Sequence, residues 1–256
     1  MRSLILLAAL VQSLPAAAAP VAPTGKWIVD FDDAQCVASR EYGQLQLGLK
    51  AAPIGEVVQV ALISSGTYAP AQQLNAEIFL GDSAPVKTSG LLWSVGGKSG
   101  RRIHLVNLSV RDFARLEQAE SVRIRIGNLE SDLQLREMAA LAKIMKSCVD
   151  DLQQVWASDT DGGVSARANL ASYITDMDYP PSAIRNEQSG TTAFALLVDE
   201  SGRVADCMVT QTSGAAVLDT QSCSTLKNRA RFTPGTTAEG KPRKSRVLGR
   251  IQWKLP

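Results

Sequence analysis

The chain has 256 residues, 45% hydrophobic and 20% charged, with 27 Lys and Arg against 25 Asp and Glu. That length carries one or two domains with real cores, and the composition excludes a disordered tail and a multi-span membrane protein. A net charge of +2 gives no global pull toward nucleic acid, and none is expected as a partner.

Residues 1–19 read as an export leader. Arg2 supplies the basic start, "LILLAALV" the apolar run, and "LPAAAAP" the small residues that suit cleavage near Ala18 or Ala19. Pro20 disfavours a cut after Ala19, which points to Ala18. The expected location is periplasmic. The alternative is an uncleaved inner-membrane anchor, but a spanning helix wants about 20 apolar residues, and Gln12, Ser13 and Pro15 interrupt the run early.

Residues 25–155 read as a β-rich, sandwich-like domain with a terminal helix. "KWIVDF", "LQLGLKAAP", "GEVVQVALISSG", "AEIFLGD", "GLLWSVGG" and "RRIHLVNLS" are strand candidates, with apolar alternation clearest at Val58, Val60 and Leu62. Ser109 is placed to cap a short helix, "VRDFARLEQAE". "SVRIRIG" alternates again. "REMAALAKIMKSCVDDLQQVW" is an amphipathic helix whose stripe holds Met138, Leu141, Ala142, Met145, Cys148, Val149 and Leu152.

Residues 156–178, rich in Asp, Gly, Ser and Ala, show no sustained period. They read as a linker with one weak helical turn near Ala166 to Tyr173.

Residues 179–256 form a compact second unit. "TTAFALLVD" and "RVADCMVTQT" are antiparallel strands around the turn "DESG", where Gly202 meets a need for positive φ. "AVLDTQSCSTLKNRARF" is helical. "SRVLGRIQWKL" is a last strand, with Val247, Ile251, Trp253 and Leu255 on one face and Arg246, Arg250, Gln252 and Lys254 on the other. The fold class is α+β: a three-stranded antiparallel sheet on a helix follows the β-rich domain.

Four cysteines in an exported chain are expected as disulfides. Three pairings are open, and we expect Cys36–Cys148 and Cys207–Cys223, one in each half. Cys148 lies in the apolar stripe, where an early strand would bring Cys36. No Cys-x-x-Cys occurs and His104 is the only histidine, so no metal or cofactor is expected.

Tyr179-Pro180, Ala183, Gly190, Val198-Asp199, Gly202-Arg203-Val204, Ser213-Gly214, Leu218-Asp219 and Arg231-Phe232 with Pro234 stand in order with plausible gaps. Together they resemble the C-terminal domain of TonB proteins, the energy transducers of Gram-negative envelopes. The resemblance implies binding of an outer-membrane transporter, or another envelope protein, in transmembrane transport. An extended segment of the partner would add as a strand to the open sheet edge. The implied edge is Val247, Leu248, Gly249, Arg250, Ile251 and Gln252, with Tyr179 and Pro180 beside it. The family's membrane anchor and proline-rich spacer are replaced here by a leader pattern and a folded first half.

Lys241, Arg243, Lys244 and Arg246 form a basic patch next to that edge. It suits an acidic partner such as phospholipid or lipopolysaccharide head groups, or serves as a solvated run that discourages unwanted sheet pairing. "GGKSG" lacks the glycine a phosphate loop needs at position 92, which is Leu92. "DTDGG" lacks the twelfth-position glutamate of a calcium loop, where Leu170 stands. His104 has no nucleophile and acid around it and reads as a strand histidine at a domain surface. No catalytic residues are assigned and no enzyme is expected. The competing reading is a disulfide-stapled envelope module whose second domain docks on its own first domain or forms a homodimer through the same edge.

Overall fold

The structure, a computed structural model, describes residues 19–32, 34–53, 57–81, 84–95, 100–156 and 163–255. The leader up to residue 18, and most of "GGKSG" and "DTDGG", lie outside the described residues.

In the first half the strands are β1 (Ile28–Phe31), β2 (Cys36–Tyr42), β3 (Leu45–Ala51), β4 (Val57–Ser65), β5 (Gln72–Leu80), β6 (Val86–Val95), β7 (Arg101–Ser109), β8 (Ser121–Ile126) and β9 (Leu129–Gln134). They make one antiparallel sheet in the order β1-β2-β3-β4-β7-β6-β5-β8-β9. Two helices accompany it: α1 (Val110–Leu116) and α2 (Met138–Val155). Ser109 caps α1, its hydroxyl accepting the Asp112 N–H at 3.1 Å.

The sheet curls until its flanks meet. Val21 pairs with Leu133 on β9, while Thr24 N–H donates to the Glu41 carbonyl on β2 at 2.9 Å. The Tyr42 hydroxyl donates to the Gln134 carbonyl at 2.9 Å, and the buried Arg40 guanidinium donates to the carbonyls of Gly25 and Arg136, both at 2.8 Å. One core fills the interior, with Leu49, Leu62, Ile78, Ile124 and Leu133 from across the sheet and Met138, Leu141 and Met145 from α2. The Cys36–Cys148 disulfide ties β2 to α2 with Cα atoms 6.2 Å apart.

The second half contains α3 (Pro181–Arg185), β10 (Gly190–Val198), β11 (Val204–Gln211), α4 (Ala216–Arg229), β12 (Gly235–Thr236), β13 (Pro242–Arg243) and β14 (Ser245–Trp253). The main sheet is β11-β10-β14, antiparallel throughout. Phe194, Leu196 and Val198 pack on Leu226, Ala230 and Phe232 below α4. Cys207 on β11 is bridged to Cys223 on α4, with Cα atoms 5.5 Å apart.

The opposite face of this sheet is covered by the first half. Ala195, Leu197 and Met208 pack with Ala34, Ala52 and Trp156. Side chains of a strand alternate between faces, so cover on both sides explains why Phe194 through Val198 are buried without a break. Lys50 and Lys227 both pair with Asp206 at this junction, at 2.9 and 3.3 Å.

The stretch expected as a linker, residues 156–178, is bound down over its described part. Trp156 is buried. Val164 and Thr236 exchange backbone hydrogen bonds at 2.8 Å each way, and Arg167 does the same with Thr233 at 3.0 and 2.9 Å. Leu170, Tyr173 and Ile174 join the second core, and the one expected helical turn is a 3-10 turn at Leu170–Ser172. Backbone bonds, which need no side-chain periodicity, hold this segment in place.

Candidate functional site: the open edge of the second sheet

β14 pairs with β10 along its whole length, from Gly190 opposite Trp253 to Val198 opposite Ser245. It ends the sheet order, and among the described residues no backbone group of residues 246–254 makes a backbone hydrogen bond outside that pairing. An antiparallel edge strand directs every second N–H and C=O outward, ready for another strand.

The two faces of β14 differ. Val247, Gly249 and Ile251 face the core, with Trp253 buried at the end. Arg246, Leu248, Arg250 and Gln252 are exposed, Leu248 to 70%. A Cβ on Gly249 would lie 2.7 Å from the Phe194 ring and 3.1 Å from Leu170. The edge strand is therefore pressed down on Phe194, with Leu170 from the preceding segment beside it. No periodicity in residues 163–178 announced that Leu170 would support the edge.

Tyr179 reaches the strand through Trp253, ring against ring at 5.4 Å in an edge-to-face contact. Its hydroxyl donates to the Gln188 carbonyl at 2.5 Å, and burial pushes its pKa up. Pro180 precedes α3 and its carbonyl accepts from Ala183 and Ile184 at 2.9 and 3.1 Å. Both residues are buried. They adjoin the edge as struts under its C-terminal end. The Trp253 indole N–H donates to Ser222 Oγ at 3.0 Å, which fixes that end to α4.

The basic residues divide. Lys241, Arg246 and Arg250 are exposed, whereas Arg243 on β13 and Lys244 are half-buried. Lys244 Nζ stands 5.2 Å above the Trp156 ring, so its charge serves the junction between the two halves.

Carboxylates set the frame behind the edge. Asp219, fully buried at the start of α4, accepts from the Thr192 hydroxyl and the Ser213 N–H, both at 2.8 Å, and from the Thr212 hydroxyl. It joins the start of β10, the end of β11 and the helix. Asp199 organises the β10–β11 turn, accepting from Ser201 and Arg203 N–H at 2.8 and 2.9 Å. Burial opposes its ionisation, but the Ser201 and Arg203 bonds win and hold its pKa below the ordinary carboxylate range. Asp178 behaves likewise: burial opposes ionisation, and Thr175 and Arg229 overcome it.

His104 corrects an expectation. It is buried on the inner face of β7, in register between Leu62 and Leu92, and not at a domain surface. Among the described residues its Nδ1 has no hydrogen-bond partner. Burial, then the charge of Arg102, lower its pKa. Apolar neighbours exclude it from acid–base work at the surface. Among the described residues no cluster of His, Cys, Asp or Glu is arranged to hold a metal, and no helix is long and apolar enough to cross a membrane.

Comparison with known proteins gives one match. Residues 175–255 match the family model described as Gram-negative bacterial TonB protein C-terminal. The matched segment contains β10, β11, α4 and β14 and begins at the turn that leads into Tyr179. No match was found among curated proteins, and none among solved structures.

Proposed function

We propose that this is an exported, periplasmic, TonB-like envelope protein without enzymatic activity. Its second domain captures an extended segment of an outer-membrane transporter, or of another envelope protein, by strand addition along β14. The observation that carries the reading is the open edge of a sheet inside the family-matched segment: among the described residues β14 has a partner strand on one side only. Main-chain pairing supplies affinity in such capture, and alternate side chains supply selectivity. Here Leu248 offers an apolar contact between Arg246 and Arg250, which suits a guest with an apolar residue flanked by acids. The exposed Lys241 continues the positive field beyond the edge and would favour acidic head groups nearby. Cleavage near Ala18 or Ala19 would free the chain from the leader and leave the domain division at residues 25–155 and 179–256 in the mature protein.

Photocrosslinking tests this directly. A photoreactive residue in place of Leu248, in the full chain and in intact envelopes, should join to an outer-membrane protein. Proline at Gly249 and proline at Arg250 form a matched pair. Adjacent residues direct their N–H groups to opposite sides, so one proline breaks the β10 ladder and the other spares it and removes an outward donor, with the added demand at Gly249 that the new ring find room beside Phe194. The variant that still folds should lose the crosslink. A crosslink that survives in it would defeat strand addition at β14.

A second reading has its own support. Ala34, Ala52 and Trp156 cover the face of the second sheet, and two lysines converge on Asp206. These contacts favour a module in which the two halves act as one body. A crosslink from Leu248 to a second copy of the chain would favour the homodimer.

A further inference from the structure

The second sheet has two edges, and the other one, β11, opens into a groove of ≈ 870 Å³ between the two halves. Its floor is the outer face of three central strands of the large sheet. Ile63, Ile103 and Trp93 form one cross-strand row, and Ala61, Leu105 and Leu91 the next. All six are half-buried. An antiparallel sheet with a full core on one side normally turns a polar face outward. This block is apolar on both sides, and α4 faces it across the open width of the groove. Along one wall Cys207, Val209 and Gln211 of β11 line the groove. Among the described residues, Ala205 to Gln211 make no backbone hydrogen bond beyond their pairing with β10. Along the other wall α4 presents Thr220, Ser224 and Lys227. Among the described residues Lys50 and Lys227 share the single carboxylate of Asp206, which leaves one positive charge in excess at that end.

We propose that this groove is a second strand-addition site, distinct from β14 and independent of the reading given to it. Its guest is an extended polypeptide segment with alternating apolar and polar residues and an acidic side chain beside Lys227. One set of side chains lies on the block around Leu105, the other beneath the hydroxyls of α4. The guest's main chain takes up the outward N–H and C=O groups of β11. An acyl chain fits the volume but not the wall, since it would cover those groups and leave them unpaired.

The test uses the full mature chain and the emission of Trp93. The probes are two acetylated, amidated decapeptides of alternating valine and threonine, each with one aspartate, placed near opposite ends. At least one should give a saturable change that disappears in Trp93→Phe and in Ala61→Arg, whose folding is checked by circular dichroism. Leu105→Lys gives the same answer if Ala61→Arg does not fold. Lys227→Glu should weaken the effective peptide about three- to fivefold, as for an exposed ion pair. The folded proline variant of β14 should bind it unchanged, which separates this site from the other. The proposal is overturned if neither peptide saturates, or if a version N-methylated at every second amide binds as well. Saturation by dodecanoate in place of the peptides would overturn it too.

Discussion

Gly249 lies against the ring of Phe194 so closely that a Cβ would come within 2.7 Å of it. Phe194 is itself buried at the centre of the second core, so the ring has little room to yield. Gly249→Ala should therefore cost about 1–3 kcal/mol, the range for overpacking, and should loosen β14 as well. Urea unfolding measures the first effect and amide exchange along residues 246–252 the second. An unchanged midpoint would mean that the strand is not pressed on the ring.

Trp156 joins the two halves. It packs with Ala34 and Ala52 on one side and Ala195, Leu197 and Met208 on the other. Trp156→Ala should destabilise the protein by about 3–5 kcal/mol and uncouple the halves. Calorimetry should then resolve two transitions where the parent shows one. A single transition at the parent temperature would contradict the role given to this side chain.

The chain's only histidine gives a clean pH dependence. The folded pKa of His104 lies below its ordinary value through burial and then Arg102. In the window below about 6.5 the unfolded chain binds more protons than the folded one. Its contribution is full above that value and is lost as pH falls through the window. Stability at pH 7 should exceed that at pH 5.5, and His104→Gln should flatten the difference. Asp178 and Asp199, both held low, act in a separate window. Their contributions are present above about 3.9 and lost as pH falls through their folded values.

The two disulfides close loops of different length, with separations of 112 and 16 residues. The chain-entropy account assigns about 5 kcal/mol to the longer and about 3 kcal/mol to the shorter. Paired serine variants, Cys36→Ser with Cys148→Ser and Cys207→Ser with Cys223→Ser, should lose stability in that order. Denaturant midpoints decide it. The reverse order would show that local packing of α4 on β11 outweighs loop closure.

Much of the fold was legible because apolar spacing and burial agree. The alternation in β4, β8 and β14 and the stripe on α2 all face cores. β2 was placed only at its Cys36 end, and the rest of it was hidden by a charge. Arg40 sits at a buried position of the pleat because main-chain carbonyls receive its guanidinium, which a hydropathy pattern does not register. β9 was hidden by its polarity. Asp132 and Glu130 pair across the ladder with Arg123 and Arg125. The edge strand of the candidate site was readable from its own alternation. Leu170 was not, since it reaches the strand from a segment without a period, whereas Tyr179 was placed beside the edge by the family resemblance; the apolar block around Leu105 reads as ordinary strand until the groove it faces is seen.

The meeting of the large sheet's two flanks has a consequence for assembly. Tyr42 and Arg40 find their acceptors 92 and 96 positions further along. Contacts so distant in sequence are slow to form, and none of them exists until β9 and the turn after it have arrived. The neighbouring strand pairs β2–β3, β3–β4 and β5–β6 can form earlier, so the joining of the two flanks comes last and closes the first unit like a clasp. Truncation before Gln134 would leave the clasp with only one of its halves.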